Sequence, residues 1–210
     1  MKTFIKRRAR KTYIDRRKLV HGVGVNDAWF TVQPRIDGKT QLYIIYDRWV
    51  GMIRRCYGAN PSEKNKSYLG CSVCDEWLNF SQFDKWASEN WIDGYQLDKD
   101  FLLSGNKIYS PDTCLFVSPE VNSLMRSSTP SNGFIGVDER ENGKWRAKLS
   151  MNGTPHTIGT FDTREEAFSA YKENKYNHII NTARRLGVSE DPRLKPALIS
   201  YAHRVLEFGE

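Results

Sequence analysis

The tract Arg126-Ser-Ser-Thr-Pro-Ser-Asn-Gly133 divides this chain into two stretches of different texture. Its residues favour turns and extended backbone and give a core nothing to bury, so it reads as a linker. Upstream of it, large apolar residues recur at spacings of three and four. Downstream, apolar and polar residues alternate and Asn-Gly pairs punctuate them. Two small domains are therefore expected. The 210 residues, 39% hydrophobic and 27% charged, suffice for two cores and do not have the composition of a disordered chain. No run approaches the ~20 apolar residues that span a bilayer, and no apolar stretch follows the basic N-terminus as in a secretory signal. The expectation is a cytoplasmic protein, neither membrane-bound nor secreted. The Asn-x-Ser triplets at Asn65 and Asn79 then carry no weight.

Charge is unevenly placed. The net charge is +7, yet residues 1–20 carry nine Lys or Arg against the single acid Asp15. The remaining residues come to −1, so the basicity is an arm on a nearly neutral body. Such an arm suits a phosphate backbone, because each contact releases condensed counterions.

In the first stretch, Trp29, Thr31 and Gln33 alternate with Phe30 and Val32, Asp37-Gly38 offers a turn, and Leu42 to Ile45 resumes an apolar run. This pattern predicts a hairpin. Tyr46, Trp49, Val50, Ile53 and Tyr57 predict a helix with one buried face, and Trp77, Phe80, Phe83 and Trp86 a second. Residues 58–68 read as a loop. Gln96 to Asp98 and Thr113 to Val117 predict short strands, and Ser118-Pro119 caps a short helix over 119–126.

In the second stretch, Phe134 to Arg140, Lys144 to Met151 and Thr154 to Phe161 predict three strands split by Asn142-Gly143 and Asn152-Gly153 turns. Thr163 and Glu166 form a capping box opening a helix to about Leu186, stopped by Gly187. Pro196 begins a last amphipathic helix. Along the middle strand Trp145, Ala147 and Leu149 point one way, and Arg146, Lys148 and Ser150 the other. One face can pack on the helix, and the basic face suits a DNA major groove.

The strings Gly136-Val-Asp-Glu-Arg140, Gly143-Lys-Trp145, Ile158-Gly-Thr-Phe161 and Thr163-Arg-Glu-Glu-Ala167, with Ala170-Tyr171, resemble the ethylene-response-factor type (Apetala-type) DNA-binding domain over residues 133–185. The resemblance implies a three-stranded antiparallel sheet backed by one helix, reading DNA with sheet side chains. The DNA-facing positions it implies are Arg140, Asn142, Lys144, Arg146, Lys148, Ser150 and Thr157. Asp138, Asn142 and Thr157 stand where plant members carry Arg or Trp.

Cys56, Cys71, Cys74 and Cys114 are expected to be reduced. The two-residue spacing of Cys71 and Cys74 suits one tetrahedral metal, and soft thiolates favour structural zinc. The alternative is four small buried apolar side chains.

The run Leu97-Asp-Lys-Asp100, Gly105-Asn106, Tyr109-Ser-Pro-Asp-Thr-Cys-Leu-Phe-Val117 and Asn122 resembles the HNH (ββα-metal) nuclease motif as found in bacteriophage. Arg55-Cys56-Tyr57, Gly70-Cys71-Ser-Val-Cys74, Glu76-Trp77 and Gly22-Val-Gly-Val-Asn-Asp27 extend the resemblance to residues 20–125. It implies a divalent ion, Mg2+ or Mn2+, held by Asp98 and Asn122 against the scissile phosphate. The family's base, a His, is here Lys99, and a free lysine ammonium is a poor base. Lys99 can instead stabilise charge on the phosphate or leaving group. The Asn that usually braces the metal loop is replaced by Thr113 or Asp112.

These features together predict an α+β chain: a basic arm (1–20), a zinc-braced HNH module (21–126), a linker (127–133), a three-stranded sheet on one helix (134–186) and a helical tail (187–210). The function implied is metal-dependent cleavage of double-stranded DNA, of phage homing type. Lys99 keeps an alternative open, a catalytically degenerate HNH scaffold that binds DNA and regulates or inhibits host machinery. A third is a protein-binding inhibitor whose arm meets an acidic partner.

Overall fold

The computed structural model describes residues 4–59, 68–125, 133–151, 153–188 and 190–208. Most of the expected 58–68 loop, nearly all of the expected linker, and Asn152 of one expected turn lie outside the described residues. The protein is mixed α+β and divides into two compact units, Met1–Phe116 and Val117–Glu210. Among the described residues no helix is long and apolar enough to cross a membrane.

The first unit begins with the basic segment, which contains the one-turn helix α1 (Lys11–Ile14). The expected hairpin is present but short. Strands β1 (Arg35–Ile36) and β2 (Lys39–Thr40) pair antiparallel around Asp37 and Gly38. Both turn residues have positive φ, 49° and 74°, which matches the right-handed twist of a two-residue hairpin. The Trp29–Val32 stretch forms no regular strand, but its backbone is partnered on both sides: Tyr43 N donates to Val32 O at 2.9 Å, and residues 7–9 run along the other edge. Ala9 N donates to Trp29 O at 3.0 Å and Thr31 N to Arg7 O at 2.9 Å.

Helix α2 (Ile44–Tyr57) takes in the end of the apolar run expected to be strand. Its buried face is Ile45, Trp49, Met52 and Ile53, the spacing of one helical stripe. Strand β3 (Ser72–Val73), helix α3 (Asp75–Leu78) and helix α4 (Phe80–Asn90) follow. Trp49, Trp77, Phe80 and Phe83 are fully buried against one another. The Trp49 indole still finds a partner, donating to Trp77 O at 2.7 Å, as a buried N–H must. Strand β4 (Gln96–Asp98) pairs with β6 (Leu115–Val117), and β5 (Ile108–Tyr109) lies parallel to β3.

The second unit opens with α5 (Pro119–Leu124), capped as expected: Ser118 Oγ accepts from Val121 N at 3.2 Å. Arg185 pairs with Glu120 at 2.7 Å and Tyr201 Oη donates to Leu124 O at 3.3 Å, tying α5 to the helices that follow. Strands β7 (Val137–Glu139), β8 (Trp145–Met151) and β9 (Thr154–Phe161) form an antiparallel sheet in that order. Helix α6 (Arg164–Arg185) carries the Thr163–Glu166 capping box, and α7 (Leu194–Phe208) packs on α6. Val137, Ala147 and Leu149 meet Ala167 and Tyr171 of α6 in the core. Gly136 has φ 73°, and a Cβ there would lie 2.3 Å from the Tyr171 ring. Only glycine lets sheet and helix close at that point.

Candidate nucleic-acid interface

The face of the second unit's sheet opposite α6 is built by register. Paired residues on neighbouring strands share a face. Asp138, Arg146 and Thr160 form one row, Lys148 and Thr157 the next, Ser150 and Pro155 the third. A bulge between Ala147 and Lys148 leaves Ile158 unopposed. It brings Thr157 opposite Lys148 where an unbroken ladder would bring Ile158, so the bulge keeps this face polar. Arg140, Asn142 and Lys144 lie exposed in the β7–β8 turn, where Asn142 Oδ1 accepts from Lys144 N at 3.2 Å. All seven expected DNA-facing residues thus lie on this sheet or its first turn.

That face is less basic than its cations imply. Arg146 Nη2 donates to Asp138 Oδ2 at 2.7 Å, and Lys148 Nζ lies 2.9 Å from Asp138 Oδ1. Burial pushes the Asp138 pKa up, but hydrogen bonds from Lys148 and Arg146 outweigh it and hold the carboxyl below its ordinary value. Lys144 pairs with Asp162 at 2.8 Å at an exposed position. Asp138 was legible only as a departure from the plant pattern. Its grip on two cations follows from strand register.

In the first unit, Asp98 ends β4 with its carboxylate turned back on the chain. Its Oδ1 accepts from Asp100 N at 2.8 Å and Phe101 N at 2.7 Å. Burial raises its pKa, and these two backbone bonds oppose the rise without cancelling it. Lys99 is 3% exposed. Its ammonium donates to Asp100 Oδ1 and, at 2.9 Å, to Asn106 O, and lies 5.8 Å from the centre of the Tyr109 ring. It clamps the β4–β5 loop from within.

Asn106 completes that clamp. Its amide donates to Lys99 O at 2.8 Å and Ile108 O at 2.7 Å, and its Oδ1 accepts from Ile108 N at 3.1 Å. The bracing role expected of Thr113 or Asp112 is shared: Thr113 Oγ1 donates to Ile108 O at 2.8 Å. Asn106 was missed as a brace, although the Gly105-Asn106 pair in a loop was the available signal. Asn122 lies on α5, so Asp98 and Asn122 belong to different compact units.

All four cysteines are free thiols. Burial pushes Cys114 up to about 12 and, with a contribution from nearby Cys71, Cys56 up to about 11; burial also raises Cys74. Among the described residues no three His, Cys, Asp or Glu side chains are arranged to hold a metal ion. Cys71 acts electrostatically on Cys56, and Cys74 on Cys114, so the four thiols neighbour one another in two pairs. Cys71 and Cys114 are buried, and Cys56 and Cys74 half-buried.

The basic segment is docked on the first unit. Phe4 packs on Tyr43 with ring centres 4.7 Å apart, and Lys6 pairs with Asp84 at 2.8 Å. The Arg17 guanidinium donates to Asn26 O, Ala28 O and Phe30 O at 2.9, 2.6 and 2.9 Å. Two of the arm's cations are therefore structural. Compared with protein-family models, with curated proteins and with solved structures, the chain matches none.

Proposed function

We propose that this protein binds double-stranded DNA through the polar face of β7, β8 and β9, and that the first unit is a catalytically degenerate HNH-type scaffold. The observation that carries the DNA reading is the row structure of the sheet. Arg146, Lys148, Ser150 and Thr157 share one face, while Ala147 and Leu149 fill the core behind it. A rigid sheet with hydrogen-bonding side chains on one side can lie in a major groove and meet base edges. Degeneracy is supported by Lys99, whose ammonium serves the loop.

A second reading, metal-dependent hydrolysis of DNA, is favoured by Asp98. Two backbone N–H groups fix its carboxylate, as a preorganised ligand would be fixed. In that reading a structural zinc on the closely spaced Cys71 and Cys74 would accompany it.

One pair of experiments tests both. Fluorescence anisotropy with duplex DNA should show binding that weakens as salt rises. Arg146→Ala or Lys148→Ala should change preference among sequences, whereas an equal loss on every sequence would reduce the sheet to a phosphate-binding surface. Incubating the protein with plasmid and Mg2+ or Mn2+ should leave the DNA intact. Cleavage that Asp98→Ala abolishes would replace the degenerate reading with the nuclease, and metal analysis near one zinc per chain would support its scaffold.

A further inference from the structure

A cavity lies beside the proposed DNA face of the second unit. It holds about 220 Å³ and sits where α5, α6 and the residues leading into β7 meet the end of β8. That exceeds the roughly 150 Å³ that admits benzene into a protein interior. Leu124, Ile135 and Leu149 supply an apolar wall. Tyr171, Lys175 and His178, spaced four and three along α6, supply another. Ser150 and Pro155 also line it and are exposed, whereas Tyr171 and Lys175 are buried. The cavity therefore runs from the open end of the sheet inward to α6.

Its polar side has one chemical character. Lys175 is 4% exposed, and its ammonium lies 5.7 Å from the centre of the Tyr171 ring and 5.6 Å from that of Tyr201. Ring faces stabilise a cation taken out of water. Tyr171 lines the cavity, and Tyr201 Oη donates to the carbonyl of Leu124, another lining residue, so the ammonium stands at the cavity wall. His178, one turn on, is half-buried. Burial lowers its pKa against the pull of Glu120, so its ring is neutral at pH 7 and can donate from one nitrogen. Among the described residues no acid lines the cavity. Glu120, the acid that acts on His178, is paired with Arg185 at 2.7 Å.

We propose that this cavity binds a small organic carboxylate, its apolar body on Leu124, Ile135 and Leu149 and its charged end toward Lys175 and His178. The site belongs to the second unit alone and does not depend on the DNA reading. A bare phosphate would leave the apolar wall in contact with water, and a neutral molecule of the same shape would gain nothing from the ammonium. A carboxylate with an apolar body uses both walls.

The test uses the full chain, with benzoate and the smaller isobutyrate as probes, read by saturation-transfer NMR and by the shift in Tm. Binding of at least one should be saturable. Its neutral amide, benzamide or isobutyramide, should bind about 10-fold more weakly or worse, the scale of one hydrogen bond to a charged group. Inorganic phosphate should not displace it. Lys175→Met keeps the length, loses the charge and should weaken carboxylate binding roughly 10- to 100-fold. Melts without ligand establish whether that variant is folded. If it is not, His178→Leu carries the test, with a loss of roughly 2- to 10-fold for a neutral hydrogen bond. Carboxylates that do not bind, that bind no better than their amides, that phosphate displaces, or that are indifferent to the folded variant overturn the proposal.

Discussion

Asp138 on β7 and Arg146 on β8 stand directly opposite each other, and the Arg146 guanidinium donates to the Asp138 carboxylate at 2.7 Å. The pair is half-exposed, so its contribution to stability is small. Its consequence lies in what it does to the proposed DNA face. A guanidinium held by a carboxylate presents its remaining donors in one orientation, while the carboxylate repels phosphate.

We therefore predict that Asp138→Ala raises affinity for duplex DNA of any sequence, steepens its salt dependence and narrows the gap between preferred and random sites. Anisotropy titrations at several salt concentrations measure all three. Unchanged affinity would mean that this face does not meet DNA. The lowered pKa of Asp138 sets the pH limit. The ion trio is intact above the ordinary carboxylate value of about 3.9 and is lost as pH falls through the lower folded value.

Asp98 behaves in the opposite sense. Its folded pKa is raised, chiefly by burial, so folding favours the protonated form. The stabilisation is fully present below about 3.9 and is lost as pH rises through the folded value. At neutral pH the fold carries a charge that it would be better without. Asp98→Asn keeps an acceptor for Asp100 N and Phe101 N and should hold or raise Tm at pH 7. Asp98→Ala orphans both N–H groups and should lower stability by about 1–3 kcal/mol. A Tm that falls for Asn as far as for Ala would show that the charge itself is needed.

Lys99 separates a clamp from a catalytic group. Lys99→Met removes the donors to Asp100 and Asn106 O and should destabilise the first unit by about 1–3 kcal/mol. Denaturant titration reads this directly. Lys99→His, which restores the residue usual in HNH nucleases, is expected to gain no cleavage with Mg2+ or Mn2+, because the side chain at this position points into the loop. Cleavage by that variant would revive the enzyme.

Deleting residues 1–18 should do more than remove charge. It takes away the Phe4–Tyr43 packing, the Lys6–Asp84 pair and three Arg17 donations. The first unit should lose about 3 kcal/mol or more, since hydrogen bonds to charged groups are each worth about 1.5–3 kcal/mol. A deletion variant with unchanged Tm would make the segment the free arm that its charge suggested.

The sequence by itself determined the second unit's sheet and helix. Period-two alternation in Trp145–Met151, the Asn142-Gly143 turn and the Thr163–Glu166 box are local signals, each set by residues within a few positions. Helices α2 and α4 were legible for the same reason, from the spacing of Trp49 and Ile53 and of Phe80 and Phe83. Only the tertiary structure decided what those residues meet. Residues 7–9 beside Trp29–Thr31, Asp138 between two cations and Lys99 turned into its loop all depend on partners brought together by folding. Backbone hydrogen bonds and ion pairs are indifferent to side-chain periodicity, so no pattern along the chain announces them. They are settled when the cores close and each buried polar group must find a partner.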